Sequence, residues 1–145
     1  MSVNIAKNYM ESYQSQKHLL NRINTQIIEK RELLDMKGVS YDGVKVQTNE
    51  IKDHVGDAIA DIADLSVEYR EVWESAFKNM EEIEETVNRI ESEKLKLILI
   101  KHYLKGDTWL AIADELGVTE RHIYRLRDDG LKEIEKIINN DIVCQ

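Results

Sequence analysis

From Ile51 onward, apolar side chains return at steps of four and three residues: Ile51, Val55, Ala58, Ile62, Leu65, Tyr69, Val72 and Ala76. One extra step of four follows, and Met80, Ile83, Val87 and Ile90 then restore the alternation. A strand repeats every two residues, so a seven-residue period sustained this long admits only a helix with one apolar stripe. It predicts a coiled-coil helix of about 40 residues, about 60 Å long at 1.5 Å per residue. Thr48 or Asn49 can cap its start. Gly56 costs about 1 kcal/mol against alanine, which a helix of this length tolerates. The chain contains no proline, so little else interrupts it.

The first third carries helical spacing as well, in Ile5, Tyr9, Tyr13, Leu19, Leu20, Ile23, Ile27, Leu33 and Leu34. A helix from about residue 2 to 37 follows, closed by a left-handed cap at Gly38. "GVSYDGVKVQTNE" then reads as a loop, with a short extended piece at Val44-Lys45-Val46. The simplest arrangement pairs the two long helices antiparallel, although a parallel dimer would show the same repeat. Past residue 93 the pattern changes. Leu95, Leu97, Ile98, Ile100, Tyr103 and Leu104 form a short helix that stops near Gly106, and two more short helices follow. "LKEIEKII" extends the last of these or follows it. The fold class is therefore all-α: a long antiparallel helical hairpin or coiled coil, then a C-terminal helix-turn-helix domain. The division expected is 1–93 and 94–145, with the boundary at 90 to 94 inside continuous helix.

The charge is unevenly spread. Its total is −8, with 4 basic and 14 acidic residues in the stretch 50–93 and 9 basic and 8 acidic in 94–138. Asp53, Asp57, Asp61, Asp64, Glu68 and Glu71 share one broad helical face. That pattern lacks the Glu-x-x-His motif of a carboxylate metal site, and a solvated flank accounts for it. A docking face for a basic protein is the intermediate reading. His18, His54, His102 and His122 have no metal-ligand spacing. Cys144 is the single cysteine, so neither an intrachain disulfide nor a thiolate site is available. No phosphate loop or nucleophile elbow occurs, no cofactor is implied, and an enzyme is not expected. "MSVNIAKNYMESYQSQ" lacks a basic region followed by an apolar run, and "LILI" is too short to span a bilayer. A cytoplasmic protein without a membrane partner is the expectation, and Trp73 and Trp109 are read as packing residues.

Function concentrates in "WLAIADELGVTERHIYRLRDDG", residues 109–130. A helix-turn-helix needs a small residue where its helices cross and a turn residue that tolerates positive φ. Ala113 and Gly117 meet those needs, and Ile112, Leu116, Val118, Ile123 and Leu126 fill the apolar positions. Asp107 or Thr108 can cap the first helix and Thr119 the second. With Ile123 and Leu126 inward, Glu120, Arg121, His122, Tyr124, Arg125 and Arg127 face outward or flank the contact. Arginine can bond bidentately to guanine, glutamate can accept from cytosine, and tyrosine can reach a phosphate or a thymine methyl. Arg121, Tyr124 and Arg125 are expected at base edges or nearby phosphates, with His122 and Glu120 assisting. Lys105, Thr108, Arg127 and Lys132 are expected to position the DNA backbone, and Thr119 is also expected among the DNA-contacting residues. Asp128 and Asp129 are expected to close the recognition helix.

"GDTWLAIADELGVTERHIYRLRDDGLKEI" resembles region 4 of bacterial sigma factors. It is more similar to phage-encoded transcriptional regulators with sigma-like C-terminal domains, including late-gene activators of the RinA and ArpU type. The residues that carry this are Trp109, Ile112 and Ala113, and then Ile123, Tyr124 and Arg125. The specific match covers about residues 94 to 138, while over the first 93 residues it is architectural. The resemblance implies binding at promoter DNA in a bacterial host, with contact to RNA polymerase. A single motif of local charge near +1 binds DNA feebly, so a homodimer reading two half-sites is expected. The alternatives are a DNA-packaging protein like a phage terminase small subunit, and a protein-interaction module using the acidic helix.

Overall fold

The computed structural model describes residues 2–36 and 49–143. It is helical throughout, with no strand among the described residues. Helix α1 spans Ser2–Met36, α2 Asn49–Asn88, α3 Glu93–Leu99, α4 Trp109–Leu116 and α5 Glu120–Val143, and a π-helical turn at Ile100–Leu104 continues α3. The expected loop with its extended Val44–Val46 piece, the caps at Gly38 and Thr48, and Cys144 lie outside the described residues.

The seven-residue repeat becomes the inner stripe of α2 and of the turn after it. Val55, Ile62, Ala76, Ile83, Val87 and Ile90 are buried, and Ala58, Leu65, Tyr69, Val72 and Met80 half-buried. On α1 the apolar spacing is an imperfect guide. Ile5 and Leu33 stay 61% and 56% exposed, while Ala6 and Met10 are fully buried.

Packing divides the chain into two compact units, and the division cuts across the expected split at residues 90 to 94. One unit comprises residues 16–75. Here α1 and α2 run antiparallel: Gln16 Nε2 donates to Ser75 Oγ at 3.0 Å, and Lys30 Nζ to Asp61 Oδ2 at 3.0 Å. Ile23, Ile27, Leu34, Val55 and Ile62 form its core. The Lys30–Asp61 pair is exposed and adds little to stability.

The other unit joins residues 1–15 to 76–145. Its core takes Ala6 and Met10 from α1, and Ile83, Val87 and Ile90 from α2 and the turn after it. Ile98, Leu99, Tyr103, Ile112, Ala113, Ile123, Leu131 and Ile134 come from the three-helix segment. The antiparallel register holds here too. Tyr9 Oη and Thr86 Oγ1 lie 3.0 Å apart, and Asn79 Nδ2 donates to Ser12 Oγ at 2.8 Å. Arg89 forks onto the Asp141 carboxylate at 2.8 and 2.9 Å, fixing the far end of α5. That bond holds the Asp141 carboxyl below its ordinary range.

Two local expectations need correction. The helix is not continuous through residues 90 to 94. It ends at Asn88, the amides of Arg89 and Ile90 bond back to Thr86 and Val87, and Ser92 caps α3 by accepting from Leu95 N–H. Ser92 offers the backbone an alternative to continued helix, with Glu93 favourably placed in the new first turn. Nor do Asp128 and Asp129 close α5. It runs unbroken for 24 residues, about 36 Å, so "LKEIEKII" extends it. Gly130, inside it, is a packing notch: a Cβ there would lie 3.1 Å from Leu99 Cδ1.

Candidate nucleic-acid interface

Local chemistry explains the bend between α4 and α5. Thr108 Oγ1 accepts from Ala111 N–H at 3.1 Å, starting α4, so Thr108 rather than Asp107 is the cap. Gly117 ends the helix at φ 69°, a left-handed conformation that a side chain would strain. The Val118 amide then reaches back to the Ala113 carbonyl at 3.0 Å. Thr119 Oγ1 accepts from His122 N–H at 3.1 Å and starts α5. Ile112, Ala113 and Ile123 are buried in the crossing, with Leu116, Val118 and Leu126 half-buried around it. All seven positions of the pattern thus hold their expected places.

Residues 91–130 match the homeodomain-like domain. On a helix-turn-helix of this geometry, that match supports a DNA-binding regulator in general. No curated protein matches the chain, and no solved structure does. Within the matched stretch α3 with its π turn is the first helix, α4 the second, and α5 the third.

Of the residues expected to meet DNA, Lys105, Thr108, Thr119, Glu120, Arg121, His122, Arg125 and Lys132 are exposed. Tyr124 and Arg127 are half-buried. At 100° per residue, Arg121, Arg125 and Lys132 share one stripe of α5, opposite the buried Ile123 and Ile134. Arg127 is engaged within the helix. Its guanidinium lies 4.9 Å from the centre of the Tyr124 ring, and both Nε and Nη2 are 3.1 Å from Asp128 Oδ1. The Tyr124 hydroxyl stands 3.5 Å from Glu120 Oε1. The helix therefore offers two free-standing arginines and a third already held by a carboxylate and a ring.

Two contributors to the domain carry no recognisable sequence signal. His102 stacks on Trp109 with centroids 4.0 Å apart and planes 19° from parallel, while Tyr103 meets both rings edge-on. His102 Nδ1 lies 2.8 Å from the Asp107 carbonyl, an acceptor, so this nitrogen carries the proton. Trp109 is thus the packing residue expected, whereas Trp73 remains 48% exposed on α2. On the same turn Lys101 is paired with Glu115, tying it to α4. The second contributor is Gln14 of α1, whose Nε2 donates to the Tyr103 carbonyl at 2.7 Å. Among the described residues no three His, Cys, Asp or Glu side chains are placed to hold a metal ion, and no helix is long and apolar enough to cross a membrane.

Burial pushes the His102 imidazole below its ordinary value, and Arg127 adds to this, while the Asp107 carbonyl, Glu11 and the Asp107 carboxylate pull the other way. Burial likewise raises the Tyr103 phenol to about 12, so it stays protonated. Because the folded imidazole titrates below the ordinary value of 6.5, the unfolded chain binds the proton more readily. The contribution is whole above that value and is lost as pH falls through the folded one. In a Trp73→Phe variant, where Trp109 is the sole tryptophan, the emission is expected to titrate with a midpoint below 6.5. The melting temperature should fall over the same range. A midpoint at or above 6.5 would mean that the ring is solvated.

Proposed function

We propose that this protein is a sequence-specific transcriptional regulator, encoded by a phage or prophage, that binds promoter DNA as a homodimer beside RNA polymerase. The observation that carries the reading is the outer face of α5. There Arg121 and Arg125 stand exposed one turn apart, on a helix whose opposite face is fixed by buried Ile123, Leu131 and Ile134. Arginines so placed can fork onto guanine edges, while Lys105, Thr108 and Lys132 lie exposed for backbone phosphates. The sigma region 4-like residues Trp109, Ile112, Ala113, Ile123, Tyr124 and Arg125 support promoter DNA as the target. They support polymerase as the neighbour for the same reason.

Dimerisation rests on a physical argument. A local charge near +1 releases few counterions, so one motif alone gains little affinity. The unit of residues 16–75 leaves Ile28, Leu33, Ile59 and Val67 exposed, apolar surface that a second copy would cover. Selection of bound fragments from the source genome is expected to return a site of two half-sites, and mass measurement in solution a dimer. A ring-sized assembly would favour a packaging protein, and a chain that binds no DNA at low salt would end this reading.

A further inference from the structure

The π turn leaves the chain departing from α3 before the Tyr103 carbonyl meets a partner in its own helix. Lys105 N–H bonds to Ile100, Gly106 N–H to His102 and Asp107 N–H to Lys101. The Tyr103 carbonyl is met from outside, by Gln14. The same amide nitrogen would lie 3.8 Å from a Cβ built on Gly106, whose φ of +86° makes the next reversal. One side chain from the first helix therefore bonds to the first bend of this turn and lies beside the second. That turn carries Lys105 and leads into Thr108, and His102 clasps its other side through the Asp107 carbonyl.

We infer that Gln14 is a positioning residue for DNA binding: it holds the Lys105–Thr108 turn at the height from which its side chains reach phosphate. The inference rests on the DNA-binding reading above and adds to it a contributor far outside the matched stretch 91–130. Gln14 touches no DNA itself. It acts through Lys105 and Thr108, whose N-terminal helix position also aims backbone N–H groups at an anion. Released, the turn would keep its residues but spread them over several conformations, and each phosphate contact would be made only part of the time.

The test uses the full chain and a random-sequence duplex of thirty base pairs, which reads phosphate contacts alone. For Gln14→Leu, which fills the space without a donor, the dissociation constant is expected to rise about five- to tenfold. The slope of its logarithm against log salt should shrink by about one to two, the loss of one or two phosphates. Gln14→Glu, ionised at neutral pH and unable to donate, should behave alike. Two controls separate positioning from loss of stability. Ile83→Val weakens the same core and should leave the slope unchanged. Adding Gln14→Leu to a Lys105→Ala/Thr108→Val background should produce no further change in slope. An unchanged slope in Gln14→Leu, or equal effects with and without Lys105 and Thr108, would overturn the inference while leaving DNA binding intact. Failure of the unaltered chain to bind the duplex at low salt would instead remove the reading beneath it.

Discussion

A polypeptide cut to residues 91–143, which includes the whole homeodomain-like match, is expected to lack a cooperative melt. The match ends where the core does not. Ala6, Met10, Ile83, Val87 and Ile90 are buried at 0–3% exposure against Ile98, Leu99, Tyr103 and Ile134, and all five would be missing. Burying a Met, Val or Ile side chain is worth about 1.5–3 kcal/mol, so the larger four supply a sum comparable to the whole stability of a small domain, about 5–15 kcal/mol. The Arg89–Asp141 fork and the Gln14 bond would go too. A chain joining residues 1–15 to 76–145 by a short turn is expected to fold. Gln16 and Ser75 are hydrogen-bonded side by side, so a turn can close that gap. Circular dichroism on heating decides between them: a sharp, reversible transition in the 91–143 fragment would refute this account of the core.

Replacing both Arg121 and Arg125 with alanine should abolish specific binding while leaving helicity intact. Each bidentate arginine–guanine contact discriminates by about 1–3 kcal/mol, so losing two removes roughly 10²- to 10⁴-fold in affinity for the selected site. Neither side chain is buried, and alanine forms helix at least as readily as arginine, so far-ultraviolet dichroism should not fall. Residual binding should be alike for all sequences. If a genuine operator were still bound at full affinity, α5 would not be the reading helix. By contrast Arg127→Ala is a poor probe, because it also strips a partner from Asp128 and the Tyr124 ring.

The helices and the motif were legible because they depend on local rules. The repeat from Ile51 to Ile90 is the stripe that α2 buries wherever its side chains are described, and α1 and α2 have nearly the bounds their spacing implies. Thr108, Ala113, Gly117 and Thr119 sit where capping and turn chemistry require. What was illegible depends on residues distant in sequence. Ala6 and Met10 are buried by α2 and α3–α5, whereas Ile5, more apolar than Ala6, faces solvent. Nothing in periodicity alone says that a helix's first four turns belong to a different core from its remainder. Asp128 and Asp129 read as an ending, yet the helix runs on through Gly130, which makes room for Leu99. Gln14 and His102 are polar residues with no motif around them, and their partners are backbone carbonyls, which every sequence shares.

The two long helices keep step. Within residues 16–75, Gln16 meets Ser75 and Lys30 meets Asp61, so each residue gained along one helix is matched by one along the other. Removing or inserting one seven-residue block in both arms together would return the same faces to each other and leave the pairing of residues 2–15 with 76–88 untouched. The arm is in that sense a ruler with graduations. Changes in its length that keep the pairing are expected in paired multiples of seven.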